Sequence, residues 1–123
     1  MPEIYIKRTG AIGRITLSRP EALNSLTAKM LSKIEIALGN WENDPAIAAV
    51  VVDAEGDKAF CAGGDITDIY KQGKRKNYRY GQKFWADEYR LNLKIACYKK
   101  PYLAFMQGFT MGGGVGISCH GSH

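Results

Sequence analysis

Met111-Gly112-Gly113-Gly114-Val115-Gly116, which follows the apolar run Tyr102-Leu103-Ala104-Phe105-Met106, is the stretch that decides how this chain is read. An earlier stretch has the same form: Val50-Val51-Val52, then Cys61-Ala62-Gly63-Gly64-Asp65. Glycines placed after an apolar run let backbone N–H groups approach a ligand closely and tolerate positive φ. Two such turns can aim two amides at one carbonyl oxygen, the geometry of an oxyanion hole. Acyl chemistry is therefore the leading expectation. The triple glycine lacks the third glycine of a G-x-G-x-x-G dinucleotide fingerprint, and no Gly-Lys-Ser/Thr follows it as in a P-loop. Glycine costs roughly 0.8–1 kcal/mol per residue inside a helix, so three at a helix start serve something besides stability. The expected service is a ligand-facing amide at Gly113 or Gly112. In the first turn the Gly64 amide is the expected donor. Asp65 is expected to brace the loop as a local hydrogen-bond acceptor, and not to act as a base.

Outward from these turns the chain reads as α/β. Ile4 to Arg8 and Arg14 to Ser18 alternate apolar and polar around Thr9-Gly10, the pattern of a β-hairpin. Ser25 or Thr27 can cap a helix whose apolar face is Met30, Leu31, Ile34, Ala37, Leu38 and Trp41, stopped by Asn43-Asp44-Pro45. Ile47 to Ala54 is nearly all apolar and predicts a strand buried on both faces. Strand, helix, buried strand makes a parallel crossover unit. Ile66 to Tyr70 predicts a short helical turn, Lys71 to Arg79 a basic loop or helix start, and Tyr80 to Ala96 a helix broken by Lys99-Lys100-Pro101. Tyr102 to Met106 predicts another buried strand, and Val115 to Cys119 the start of a last helix. Tyr78, Tyr80, Phe84, Trp85 and Tyr89 are expected to bury one helix face, against the core or a second subunit.

The chain has 123 residues, enough for one domain, with an ordinary apolar share of 46%. No N-terminal stretch has the form of a signal peptide, and no apolar run approaches the ~20 residues that span a bilayer. Cys61, Cys97 and Cys119 have neither CxxC nor zinc-ribbon spacing and are expected to be small buried hydrophobes in a reducing compartment. The net charge of +5 is uneven: seven Lys/Arg face ten Asp/Glu through Tyr70, and ten face two from Lys71 onward. A basic second half suits an anionic partner, a phosphorylated cofactor or nucleic acid. Lys71, Lys74, Arg75, Lys76 and Arg79, interleaved with Tyr78 and Tyr80, invite the nucleic-acid reading, although a charge run is ordinarily a solvated face. His120 and His123 are too few ligands for zinc, so no metal site is expected.

Three stretches together resemble the crotonase (enoyl-CoA hydratase/isomerase) superfamily: Arg19 to Leu26 (RPEALNSL), Lys58 to Ile66 (KAFCAGGDI) and Gly108 to Gly114 (GFTMGGG). Their order and spacing match along essentially the whole chain. Phe60 to Asp65, Glu88-Tyr-x-Leu-Asn92 and Met111 to Gly116 are most similar to the 3-hydroxyisobutyryl-CoA hydrolases of that superfamily. The resemblance implies a ββα superhelix of which residues 1–123 are the N-terminal part of a single catalytic domain, with the C-terminal half absent. It implies that the amides of Gly64 and Gly113 hold a thioester oxygen, and that Ala22, Leu23, Ala62, Gly63, Asp65 and Ile66 line the coenzyme A side. Glu88 matches a substrate-binding glutamate near the acyl hydroxyl, although beside Asp87 and Arg90 it also reads as a solvated helix face.

Hydratases of the family carry a catalytic glutamate where this chain has Gly116, which disfavours hydration. The hydrolases use a glutamate and an aspartate further along, so the 123 residues are expected to be inactive alone. No cofactor is implied beyond the coenzyme A of the substrate, and no membrane or nucleic acid. The implied location is the bacterial cytoplasm or the mitochondrial matrix. Double-bond isomerisation and non-catalytic binding of acyl-CoA or RNA are the alternatives. Apolar faces left open by a partial superhelix point to association, including a homo-oligomer.

Overall fold

A computed structural model describes the whole chain, Met1–His123. Strands β1 (Ile4–Thr9) and β2 (Ile12–Leu17) form the expected antiparallel hairpin, with Gly10 at φ 60° in the turn. Along β2 the alternation sorts the side chains. Ile15 and Leu17 are fully buried, while Thr16 and Arg14 point outward to the Asp53 carboxylate, Thr16 Oγ1 donating at 2.6 Å.

Helix α1 (Ala28–Glu42) starts at Thr27, whose hydroxyl accepts the Met30 N–H at 3.2 Å and so satisfies one orphan donor of the first turn. Its buried face is the six residues the periodicity selects, Met30, Leu31, Ile34, Ala37, Leu38 and Trp41. That face covers β1, β2 and β3 (Ala49–Ala54), the last lying parallel to β2 with Ile12 opposite Ala49. Strand β5 (Tyr102–Ala104) adds in parallel to β3, giving a four-stranded sheet in the order β1-β2-β3-β5.

Two short strands make a second, parallel sheet, β4 (Ala59–Cys61) and β6 (Phe109–Thr110). This pairing positions the site. Parallel strands end at the same edge, so the glycine turns that follow β4 and β6 come out side by side. The Met111 N–H, donating to Cys61 O at 3.0 Å, ties them. Between them in sequence run α2 (Thr67–Lys74) and α3 (Tyr78–Ala96), and α4 (Gly113–Gly116) follows the second turn. Mixed strands and helices, with a parallel crossover, confirm the α/β class.

Several expectations are corrected. On β3 only Val50 and Val52 are fully buried, because the other face, with Val51, is only partly covered. Strand β5 ends at Ala104, and Phe105 and Met106 stand exposed where the chain leaves the sheet. The basic segment is mostly helical: Lys71 and Lys74 close α2, where their charge opposes the helix dipole, and Lys76 at φ 61° turns the chain into α3. Of the aromatic cluster only Phe84 is buried, because Tyr78, Trp85 and Tyr89 fall on other sides of α3. Cys61 alone of the cysteines is buried. The last helix begins at Gly113, within the triple glycine expected at its amino end, but is a single turn ending at Gly116, short of Cys119.

Candidate active site

The segment Arg19–Leu26 and the first glycine turn are sewn together before any ligand is considered. Ala62 N donates to Leu23 O at 3.0 Å, Leu26 N to Gly63 O at 2.8 Å, and Asp65 N to Leu26 O at 2.7 Å. These bonds join Leu23, Leu26, Ala62, Gly63 and Asp65 into one rim. Two polar side chains hold that rim. Asn24, fully buried at φ 55°, accepts the Arg19 N–H and donates to the carbonyls of Glu55 and Ala59. Arg19 donates to Ser25 O at 2.7 Å and to the Asp65 carboxylate at 2.9 Å. Asp65 also accepts the Thr67 N–H at 2.9 Å, and that bond, with Arg19 adding to it, holds its carboxyl below the ordinary carboxylate range. It stays ionised and engaged, a brace and not a base.

A cleft of about 420 Å³ opens beside this rim, lined by Gly64, Ile66, Ile69, Phe84, Trp85, Glu88, Tyr89, Asn92, Gly112 and Gly113. At its floor the two turns meet. A Cβ on Gly113 would lie 3.3 Å from the Gly64 nitrogen. Neither the Gly64 nor the Gly113 N–H donates to any group of the chain. Two neighbouring backbone donors without acceptors, at the mouth of an apolar cleft, are what an incoming oxygen needs. Gly112, at φ 51°, supplies the left-handed backbone that swings the second amide into place.

Glu88 enters the same place from α3. It is 7% exposed, its carboxyl has no hydrogen-bond partner, and burial raises its pKa above the ordinary carboxylate value. Its Oε1 occupies the space that any side chain on Gly113 would fill. One helical turn further, the Asn92 amide sits 2.6 Å from where a Cβ on Gly116 would stand, and its Oδ1 is buried without a partner. The glycines of α4 therefore make a notch into which α3 drops two polar side chains. Cys61 lies close by, but burial pushes its thiol up to about 11, so it stays protonated and is no nucleophile.

The model of the enoyl-CoA hydratase/isomerase family matches residues 12–123. The chain belongs to the crotonase family. Among curated relatives, the mitochondrial 3-hydroxyisobutyryl-CoA hydrolase of Xenopus tropicalis is 49% identical over 97% of the chain, and the human one 44%. The chain spans 31% of the length of each. Among solved structures, an enoyl-CoA hydratase from Rhodobacter sphaeroides superposes at TM-score 0.97 with 51% identity, over 99% of this chain and 36% of that one. A carnitinyl-CoA dehydratase from Mycobacterium thermoresistibile follows at 0.93 and 42%, over 98% and 35%. These establish the crotonase fold for the segment.

The structure gathers Gly64, Gly113, Glu88 and Ile66 at one cleft. Ala22, Leu23, Ala62, Gly63 and Asp65 are not among its lining residues. The sequence motifs contain Asn24 and Asn92 but give neither a role. A signal for Asn24 was present, since an Asn after Ala-Leu is a residue that tolerates the left-handed region. For Asn92 the signal was its place four residues after Glu88, on the same side of the helix. The basic residues of the α2–α3 junction do not line the cleft. No helix is long and apolar enough to cross a membrane.

Proposed function

We propose that this chain carries the oxyanion hole and the acyl-end recognition of an acyl-CoA thioester hydrolase acting on a short β-hydroxyacyl group such as 3-hydroxyisobutyryl. The observation that carries it is the pair of unpartnered amides, Gly64 and Gly113, facing one cleft with Glu88 beside them. The thioester oxygen takes both N–H bonds, which strengthen as the carbonyl is attacked and negative charge develops. One such donor contributes on the order of 3 kcal/mol to the transition state. Coenzyme A runs along the rim of Ala22, Leu23, Ala62, Gly63, Asp65 and Ile66. Glu88 meets the acyl hydroxyl. The attacking step needs an acidic residue to activate water or form an acyl intermediate. The resemblance puts that residue in the length of the relatives that this chain does not span. The names of the curated relatives support a mitochondrial matrix location, or the cytoplasm if the source is bacterial.

Hydration of a double bond is the rival reading, and Gly116 stands against it. A side chain there would collide with the Asn92 amide, so the position reserved for the hydratases' glutamate holds none. The test is to express the chain with and without the sequence that follows it in its gene. Thiol release from 3-hydroxyisobutyryl-CoA and hydration of crotonyl-CoA are then assayed on both. Thiol release from the longer form alone is expected. Hydration of crotonyl-CoA would move the chain to the hydratases, and hydrolysis by the 123 residues would show that the attacking group lies within them.

A further inference from the structure

Asn92 is the polar group that nothing so far has used. It lines the cleft, its amide lies over Gly116, and its Oδ1 is buried without a hydrogen bond. One turn before it on α3, Glu88 lies over Gly113 and its carboxyl is likewise unpartnered. A buried acceptor left unpaired costs free energy that an apolar side chain of similar size would not. One of them, a turn away from a carboxyl that no donor of the chain meets, both fitted into a notch of bare glycine backbone, is a poor way to pack helices. It is a good way to receive a donor.

We propose that Asn92 and Glu88 form a two-acceptor clamp for the hydroxyl of the acyl group, with Asn92 as the residue that sets the preference for hydroxylated over plain acyl thioesters. This rests on the acyl-CoA reading above and extends it to a residue and a selectivity. The hydroxyl hydrogen is offered to Asn92 Oδ1 and to the Glu88 carboxylate. The apolar wall of Ile66, Ile69, Phe84 and Trp85 takes the carbon skeleton. An acyl group with hydrogen in place of the hydroxyl leaves Asn92 Oδ1 buried and unpaired and the Glu88 carboxyl without a donor, which is how a site built around a hydrogen bond rejects the analogue that lacks it.

The experiment is titration calorimetry of the chain, alone and with the sequence that follows it in its gene, against 3-hydroxyisobutyryl-CoA and isobutyryl-CoA. The wild type is expected to bind the hydroxylated thioester at least about tenfold more tightly, the scale of one buried hydrogen bond. Asn92→Leu is expected to reduce that ratio severalfold by weakening the hydroxylated ligand only. Asn92→Asp, which keeps the acceptor oxygen, is expected to retain the preference. Asn92→Ala serves where the leucine variant does not fold. Equal binding of the two ligands by the wild type overturns the clamp, and so does an Asn92→Leu variant that weakens both alike. In the longer form, the hydroxyl preference without thioester hydrolysis would leave the clamp standing and remove the hydrolase reading. Hydrolysis without the preference would do the reverse.

Discussion

Helices α1 and α3 are both amphipathic, and both press one face against the core, yet they do so with different chemistry. The inner face of α1 is apolar without interruption, from Met30 to Trp41. The inner face of α3 is Phe84, Leu91 and Ile95 with Glu88 set among them and Asn92 beside it. An uninterrupted apolar face is explained by burial alone. A face interrupted by a carboxyl that no donor meets is not, and the interruption falls where α4 has glycine in place of side chains. Helix α1 builds the fold; α3 builds the fold and one wall of the cleft.

The first way to break this comparison is Leu38→Ala on α1. Leu38 is fully buried, and removing its side chain is expected to cost about 2–5 kcal/mol. Chemical denaturation would register a large fall in midpoint. Any ligand affinity that survives should keep its ratio between hydroxylated and plain thioesters. A selective change in that ratio would mean that α1 also reaches the site.

Next in size is Gly113→Ala. The new methyl would displace the Glu88 carboxyl and stand between the two free amides, 3.3 Å from the Gly64 nitrogen. A fall of about 10²–10³ in thioester turnover by the longer form is expected, the cost of losing one oxyanion donor. Its effect on stability should be small, since a flexible side-chain end is what has to move. Gly114→Ala separates the two roles, because a methyl there meets the Cys61 backbone carbonyl, which cannot yield. That variant should lose stability first.

How far all this could be seen in advance differs between the same two helices. The face of α1 was legible residue by residue, since every third or fourth position is apolar and Asn43-Asp44-Pro45 ends it. The hairpin and both glycine turns were legible for the same reason: local chemistry dictates them. Glu88 was legible only through the family resemblance, because between Asp87 and Tyr89 in a charged stretch it reads by itself as a solvated face. Its burial depends on α4 lacking side chains some 25 residues later, a tertiary fact with no local trace. Asn24 hid likewise, its partners lying on Glu55 and Ala59. The basic junction reads as a loop or helix start; α3 does start in it, at Tyr78, but Lys71 and Lys74 end α2, where cations sit well at a helix C-terminus.

Glu88→Gln sharpens the comparison through pH. Burial favours the protonated Glu88, so its folded pKa lies above the unfolded one. Its contribution is intact below the unfolded value and is lost as pH rises through the folded value. The glutamine variant should therefore be more stable than the wild type near neutral pH, because its amide carries no charge to desolvate. The gain should vanish in acid below the ordinary carboxylate range. Thermal unfolding across pH reads it directly. A variant that is less stable at neutral pH would mean that the carboxylate has a partner in the fold and is not held open for a ligand.

The smallest expected effect is also the cleanest control. Gly39 lies within α1, and a Cβ there would meet only the Lys94 ammonium, 3.3 Å away at the end of a flexible side chain. With no backbone in the way, Gly39→Ala should stabilise the helix by up to ~1 kcal/mol and raise the unfolding temperature by a few degrees. Activity and ligand preference should stay where they are. A glycine that improves the protein when replaced on α1, against one that disables it when replaced on α4, would show that glycine here is tolerated in one helix and required in the other. If Gly39→Ala instead altered the thioester preference, the division between a structural α1 and a site-bearing α3 would have to be redrawn through the α1–α3 contact at Lys94.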